Sequence, residues 1–254
     1  MKPSDLTEIK IDSFNRFIKT IEDLSSVSVN GNRILSIYRG QEEDWPLLPK
    51  IGRNTEWSKE EILEKERNIF DEFKRLSYPH LDSNLDYDDD LSMLALAQHH
   101  GLPTRLLDWT GNPLVALWFA FIKKKKKLKT KMKPRVVWCF FVNEDGLYKN
   151  GEDTPIFDNG ITNVFRPKHV TKRITSQSGW FTIHRFQLEN KMIPLNEQMT
   201  YNGTVIKINI PEKCRNDILN KLDIIGINNF SLFPDLEGLS HYLEWKTIDN
   251  NIRN

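Results

Sequence analysis

The stretch QHHGLPTRLLDWTGNPLVALWFA, residues 98–120, crowds Gln98, His99, His100, Arg105, Asp108, Trp109 and Thr110 directly ahead of an apolar run. An imidazole with its ordinary pKa of about 6.5 suits proton transfer near neutrality, so His99 or His100 is a candidate general acid or base. Hydrogen bonds to carbonyls at a helix end, or to Asp108, explain the same histidines equally well. Adjacent side chains on a helix point about 100° apart, so the pair does not converge on one metal ion, and no metal site is expected. Arg105 and Asp108 stand three residues apart and are expected near one turn, where they pair. If buried, such a pair costs desolvation and specifies structure as readily as it serves catalysis. Trp109 either stacks on a ligand ring or fills the core. Earlier in the chain, RILSIYRG places Arg39 and Gly40 after an apolar segment. A guanidinium fork there suits a phosphate, and Gly40 permits close backbone approach; the alternative is an arginine paired with a carboxylate such as Asp108.

Periodicity and capping predict the elements that hold these groups. Residues 5–25 carry Leu6, Ile9, Phe14, Phe17, Ile18, Ile21 and Leu24 at mostly three- and four-residue spacing, which predicts an amphipathic helix. RILSIYRG is strand-like. Ser58 followed by Glu61 is a capping box that opens a charged helix to about Leu76. Asp89 or Asp90 caps LSMLALAQHH, Gly101 takes the left-handed position after it, and Pro103 stops it. TRLLDWT is short and extended. Asn112 is a good N-cap, Pro113 suits the first helical position, and the nearly apolar helix behind them is expected inside. VVWCFFV, GWFTIHR and GTVIKINI read as strands, and 143–170 as loop. Residues 212–225 read as a helix ended by Gly226; FSLFP and DLEGLSHYLEWK read as a last strand and a last helix. Helices early and strands mostly later predict an α+β domain, with a mixed or antiparallel β core flanked by helices.

The 254 residues hold 36 basic and 35 acidic side chains, a formal net charge of +1, so no global field draws the chain to nucleic acid or an anionic membrane. Any basic surface is local. The lysines at 123–127, with others at 129, 131 and 133, are either a phosphate-binding patch or a solvated helix end. Cys139 and Cys214 are the only cysteines, which speaks against a disulfide framework and for a reducing compartment. The start lacks a signal peptide's apolar core, and no run approaches the ~18 apolar residues of a membrane span, so a cytoplasmic protein without membrane contact is expected.

Tyr38-Arg39-Gly40-Gln41, the block LALAQHHGLPTRLLDWTGNPLVALWFA at 94–120, RITSQSGWFTIH at 173–184 and SLFPDLEGLSHYL at 231–243 together resemble the FRG domain family, named for its Phe/Tyr-Arg-Gly signature. The resemblance implies an FRG domain over residues 30–247, preceded by a helical extension at 1–29. A more distant resemblance is to arginine-type ADP-ribosyltransferases. Tyr38-Arg39-Gly40 is similar to their first motif, and Asp108-Trp109-Thr110 followed by NPLVALWFA to the layout of their second. At the third, Thr175-Ser176-Gln177, this sequence departs, because neutral Gln177 stands where a carboxylate is expected and cannot supply its charge. Gln177 is left to read an amide or base edge, and Glu237 is the best remaining candidate for the missing carboxylate; equally, Gln177 is a turn residue and Glu237 a first-turn acid favouring its helix dipole.

These resemblances imply an ADP-ribosyltransferase-like core that binds NAD or a related nucleotide as substrate. Arg39 holds phosphate, Trp109 and Thr110 contact a ring or ribose, and His99 or His100 moves a proton. The implied activity is ADP-ribosyl transfer or NAD glycohydrolysis by a bacterial phage-defence or toxin effector. The rivals are a non-catalytic nucleotide- or nucleic-acid-binding module, which the lysine run favours, and a protein-interaction domain in which the polar cluster only fixes the core.

Overall fold

The eight residues Arg135–Val142 (β6) have neighbours on both edges and both faces, which is why the apolar run after Arg135 is unbroken: all eight are buried. In the computed structural model, described for residues 7–26, 28–29, 32–81, 87–124, 133–143, 146–148, 156–157, 160–168, 175–186, 191–198 and 203–249, β6 lies inside a seven-stranded mixed sheet. The other strands are Thr7–Lys10 (β1), Leu35–Gln41 (β4), Leu106–Thr110 (β5), Asn163–Phe165 (β7), Gly179–Ile183 (β8) and Gly203–Ile210 (β9). Their order is β1-β9-β6-β4-β5-β8-β7. Only β1 and β9 pair in parallel; the other neighbours are antiparallel. Ser28–Val29 (β2) and Asn32–Arg33 (β3) form a separate small hairpin.

Side chains alternate across each strand, so successive residues of β6 enter different cores. Val137, Cys139 and Phe141 pack with the helices Phe14–Ser25 (α1), Pro113–Phe121 (α4) and Arg215–Ile224 (α5). Val136, Trp138, Phe140 and Val142 pack with Leu107 and Trp109 on the opposite face. Lys59–Ser77 (α2) and Asp90–His99 (α3) cover β5, β8 and β7, with Phe70 and Met93 against Leu106, Phe181 and Ile183. The α+β class expected from sequence is the one found.

Capping follows the expected chemistry. Ser58 and Glu61 exchange the two hydrogen bonds of a capping box at the start of α2, Asp89 caps α3, and Asn112 caps α4 with Pro113 in its first turn. Gly101 and Gly226 hold φ of 90° and 84° just beyond α3 and α5. Three expectations need correction. Within 143–170, read as loop, Asn163–Phe165 pairs with β8 as strand β7. Residues 5–25 are not one helix: Thr7–Lys10 alternates as β1 and joins the sheet, and α1 starts only after Ser13, whose hydroxyl accepts from the Arg16 amide. FSLFP is not a strand, because Asn228 and Ser231 form a second capping box that winds Asn229–Leu232 into a short helix (α6) ahead of the final helix, Leu236–Glu244 (α7), which Asp235 caps. Among the described residues no helix is long and apolar enough to cross a membrane.

Candidate functional site

The sheet parts in its middle. β4 pairs with β6 through seven residues but with β5 through one, Tyr38 opposite Thr110. Beyond that pair the Asp108 carbonyl accepts 2.5 Å from Arg39 Nη1, with an Asp108 carboxylate oxygen 3.7 Å from the same nitrogen. The guanidinium thus bridges two strands that no longer bond through their backbones. It is largely enclosed, its side chain 19% exposed, and burial pulls its pKa below the ordinary arginine value, aided by Arg53 and opposed by Asp108. Gly40 serves the neighbouring helix: a Cβ there would lie 1.8 Å from the Ala116 carbonyl oxygen of α4.

The parting leaves a cleft of about 330 Å³. Tyr38, Arg39 and Gly40 line it from β4, Asp108, Trp109 and Thr110 from β5, Gln98 and His99 from the end of α3, Phe119 from α4, and Gln177 and Trp180 from the start of β8. Its volume falls within the roughly 300–1,000 Å³ usual for small-molecule sites. Asp108 is the exposed carboxylate at its mouth, its side chain 56% accessible. Gln98 Nε2 donates to both Asp108 oxygens at 3.3 and 3.2 Å, and Thr104 Oγ1 donates to Gln98 Oε1 at 2.6 Å.

Of the sequence-derived candidates, the fold brings Arg39, Gly40, His99, Asp108, Trp109, Thr110 and Gln177 to this cleft. Trp109 is nearly buried, its indole N–H donating to Thr182 Oγ1 at 3.0 Å. Thr110 donates to the Gln177 carbonyl at 2.6 Å, and Gln177 Nε2 donates to the Leu232 carbonyl at 3.2 Å, so both tie the turn before β8 to its surroundings. In that turn Ser178 holds φ of 49°, the one positive φ at a non-glycine among the described residues. The remaining three candidates lie elsewhere. His100 is the exposed cap of α3, its ring edge-on to His99. Glu237, in the first turn of α7, is 85% exposed and stands 3.7 Å from His241. Arg105 is fully buried, and its expected pairing with Asp108 does not form. Instead its Nε and Nη2 bond the Glu66 carboxylate at 2.7–3.2 Å, its backbone amide donates to the same group, and Nη1 donates to the Ile156 carbonyl. The reason is local: His184 N bonds the Arg105 carbonyl, which extends the β5 ladder, and residues an odd number apart in extended chain face opposite ways.

Sequence reasoning missed Glu66, Thr104, Phe119 and Trp180. Glu66 carried a signal, since it interrupts the buried stripe Ile62, Glu66, Phe70 at four-residue spacing on α2. His184 is fully buried beside Thr182, 3.1 Å away, and burial together with Arg39 and Arg105 pushes its pKa down to about 3. Among the described residues no three of His, Cys, Asp and Glu are grouped to hold a metal ion. Of the lysine run, Lys123 pairs with Glu42 and Lys133 with Glu43; residues 125–132 lie outside the described residues.

Residues 35–129, from β4 through α4, match the family model described as FRG domain. Neither curated proteins nor solved structures give a match, and the resemblance to ADP-ribosyltransferases finds no support there. The matched segment includes Tyr38-Arg39-Gly40, whose arginine and glycine brace the parted sheet and seat α4 beside the cleft.

Proposed function

We propose that the cleft binds a nucleotide of the NAD class, and that water attacks the ligand there at the nicotinamide–ribose bond. The observation that carries this reading is the convergence, at one parting of the sheet, of a half-buried guanidinium, an oriented carboxylate, an imidazole and two aromatic side chains, Phe119 and Trp180. A concave site with a few convergent polar groups is the default place for a small ligand. Asp108, rather than Glu237, is the carboxylate near positive charge developing on the ribose. His99, which lines the same cleft, takes the proton from the attacking water. The balanced step is NAD plus water giving nicotinamide, ADP-ribose and a proton. ADP-ribosyl transfer would replace water by an acceptor on a macromolecule, and a defence or toxin role rests on the family resemblance alone.

Calorimetric titration of the intact chain with NAD and with ADP-ribose, followed by chromatography for free nicotinamide, tests the reading. Saturable binding of NAD, with nicotinamide release lost in Asp108→Asn, is expected. Absence of binding by either compound overturns it and shifts the weight to a protein-interaction role.

A further inference from the structure

Two charged side chains line the cleft, and they are oriented differently. Arg39 turns its guanidinium into the seam and spends Nη1 on the Asp108 carbonyl, whereas the Asp108 carboxylate is open to solvent. A chain of hydrogen bonds with a fixed direction holds that carboxylate. The Asp108 carboxylate and the Leu106 carbonyl, 3.3 Å away, can only accept, so Gln98 must face them with its NH2. Gln98 Oε1 is then left to accept the Thr104 hydroxyl proton, while Thr104 Oγ1 accepts from the Leu106 amide at 3.1 Å. An ionised carboxylate only accepts, and its two oxygens offer about four lone-pair sites, more than Gln98 and Arg39 occupy. Its open sites suit a hydroxyl donor and repel a phosphate.

We infer that Thr104 and Gln98 are positioning residues that aim Asp108 at a ligand hydroxyl, so that the cleft selects the ribosyl face of its nucleotide rather than the phosphates. This rests on the nucleotide reading above and reverses the phosphate role expected of Arg39. Phe119, which lines the cleft from α4, supplies apolar surface for the ring that the ribose carries.

Calorimetry with NAD, nicotinamide riboside and its 2′-deoxy and 3′-deoxy counterparts tests the inference on wild type, Asp108→Ala, Gln98→Met, Thr104→Val and Thr104→Ser. Loss of a hydrogen bond to a charged acceptor lowers affinity roughly ten- to hundred-fold, so wild type should prefer the riboside to at least one deoxy compound by that factor. Asp108→Ala, Gln98→Met and Thr104→Val should compress the ratio to within about two-fold, while Thr104→Ser, which keeps the hydroxyl, should retain it. A merely structural role would weaken all ligands together and leave the ratio unchanged. If NAD binds but the ratio survives in the variants, the positioning role is overturned and the nucleotide reading stands. If wild type binds neither NAD nor the riboside, both fall. Asp108 lies at an exposed position, so its alanine variant decides the matter even where a buried variant does not fold.

Discussion

Arg105 and Glu66 are sealed from water, and such a pair persists only when its N–H groups and lone pairs are used, as they are here by three side-chain bonds, one backbone amide and one carbonyl. Removing one partner strands the other. Glu66→Gln or Arg105→Met should lower stability by about 3–5 kcal/mol, and the double replacement by two methionines should recover much of that loss. Urea unfolding at constant m-value checks both. Arg39 is a different case, because its guanidinium stands in for missing strand pairing. Arg39→Ala should cost about 1–3 kcal/mol, since it removes Nη1, the nitrogen that meets both the carbonyl and the carboxylate of Asp108. The same melts report whether ligand binding in such a variant fails through the fold or through the site.

At the scale of elements, the tightest constraint is the approach of α4 to β4. With the Ala116 carbonyl 1.8 Å from where a Cβ would stand, Gly40→Ala must push the helix off the strand, at a cost of about 3 kcal/mol or more. A chemical denaturation series measures it. Capping motifs made α2, α3 and α4 legible in the sequence, because a cap is a local bargain among four residues. The unbroken apolar run of β6 was legible for the same reason. Residues 7–10 were not, since their strand exists only by pairing with β9, two hundred residues away in the chain, and apolar spacing alone matched a helix as well. The cleft was half legible. Gln98, His99, Asp108, Trp109, Thr110 and Phe119 lie in one quoted block, but the opening of the cleft depends on β4 and β5 sharing a single pair, a property of register that no residue type announces. Arg105 pairs with Glu66 rather than Asp108 because the ladder of β5 extends back to Arg105, which sets Arg105 and Asp108 on opposite faces.

For the whole molecule, the buried His184 ties stability to pH. Its pKa is about 3 in the fold against an ordinary 6.5, so the unfolded chain binds the extra proton between those values. The stability this histidine permits is fully present above pH 6.5 and is lost as pH falls toward 3, at up to about 1.4 kcal/mol per pH unit. His184→Gln should flatten that limb, which parallel urea titrations of the two proteins would read as a difference in slope. The central claim concerns the cleft where the sheet parts, and chemical-shift mapping of the folded chain titrated with NAD tests it most directly. The account predicts shifts concentrated at Gln98, His99, Asp108, Thr110 and the Trp180 indole. Unperturbed spectra, or shifts gathered instead at the apolar groove of Trp57, Ile69 and Pro103, would contradict it.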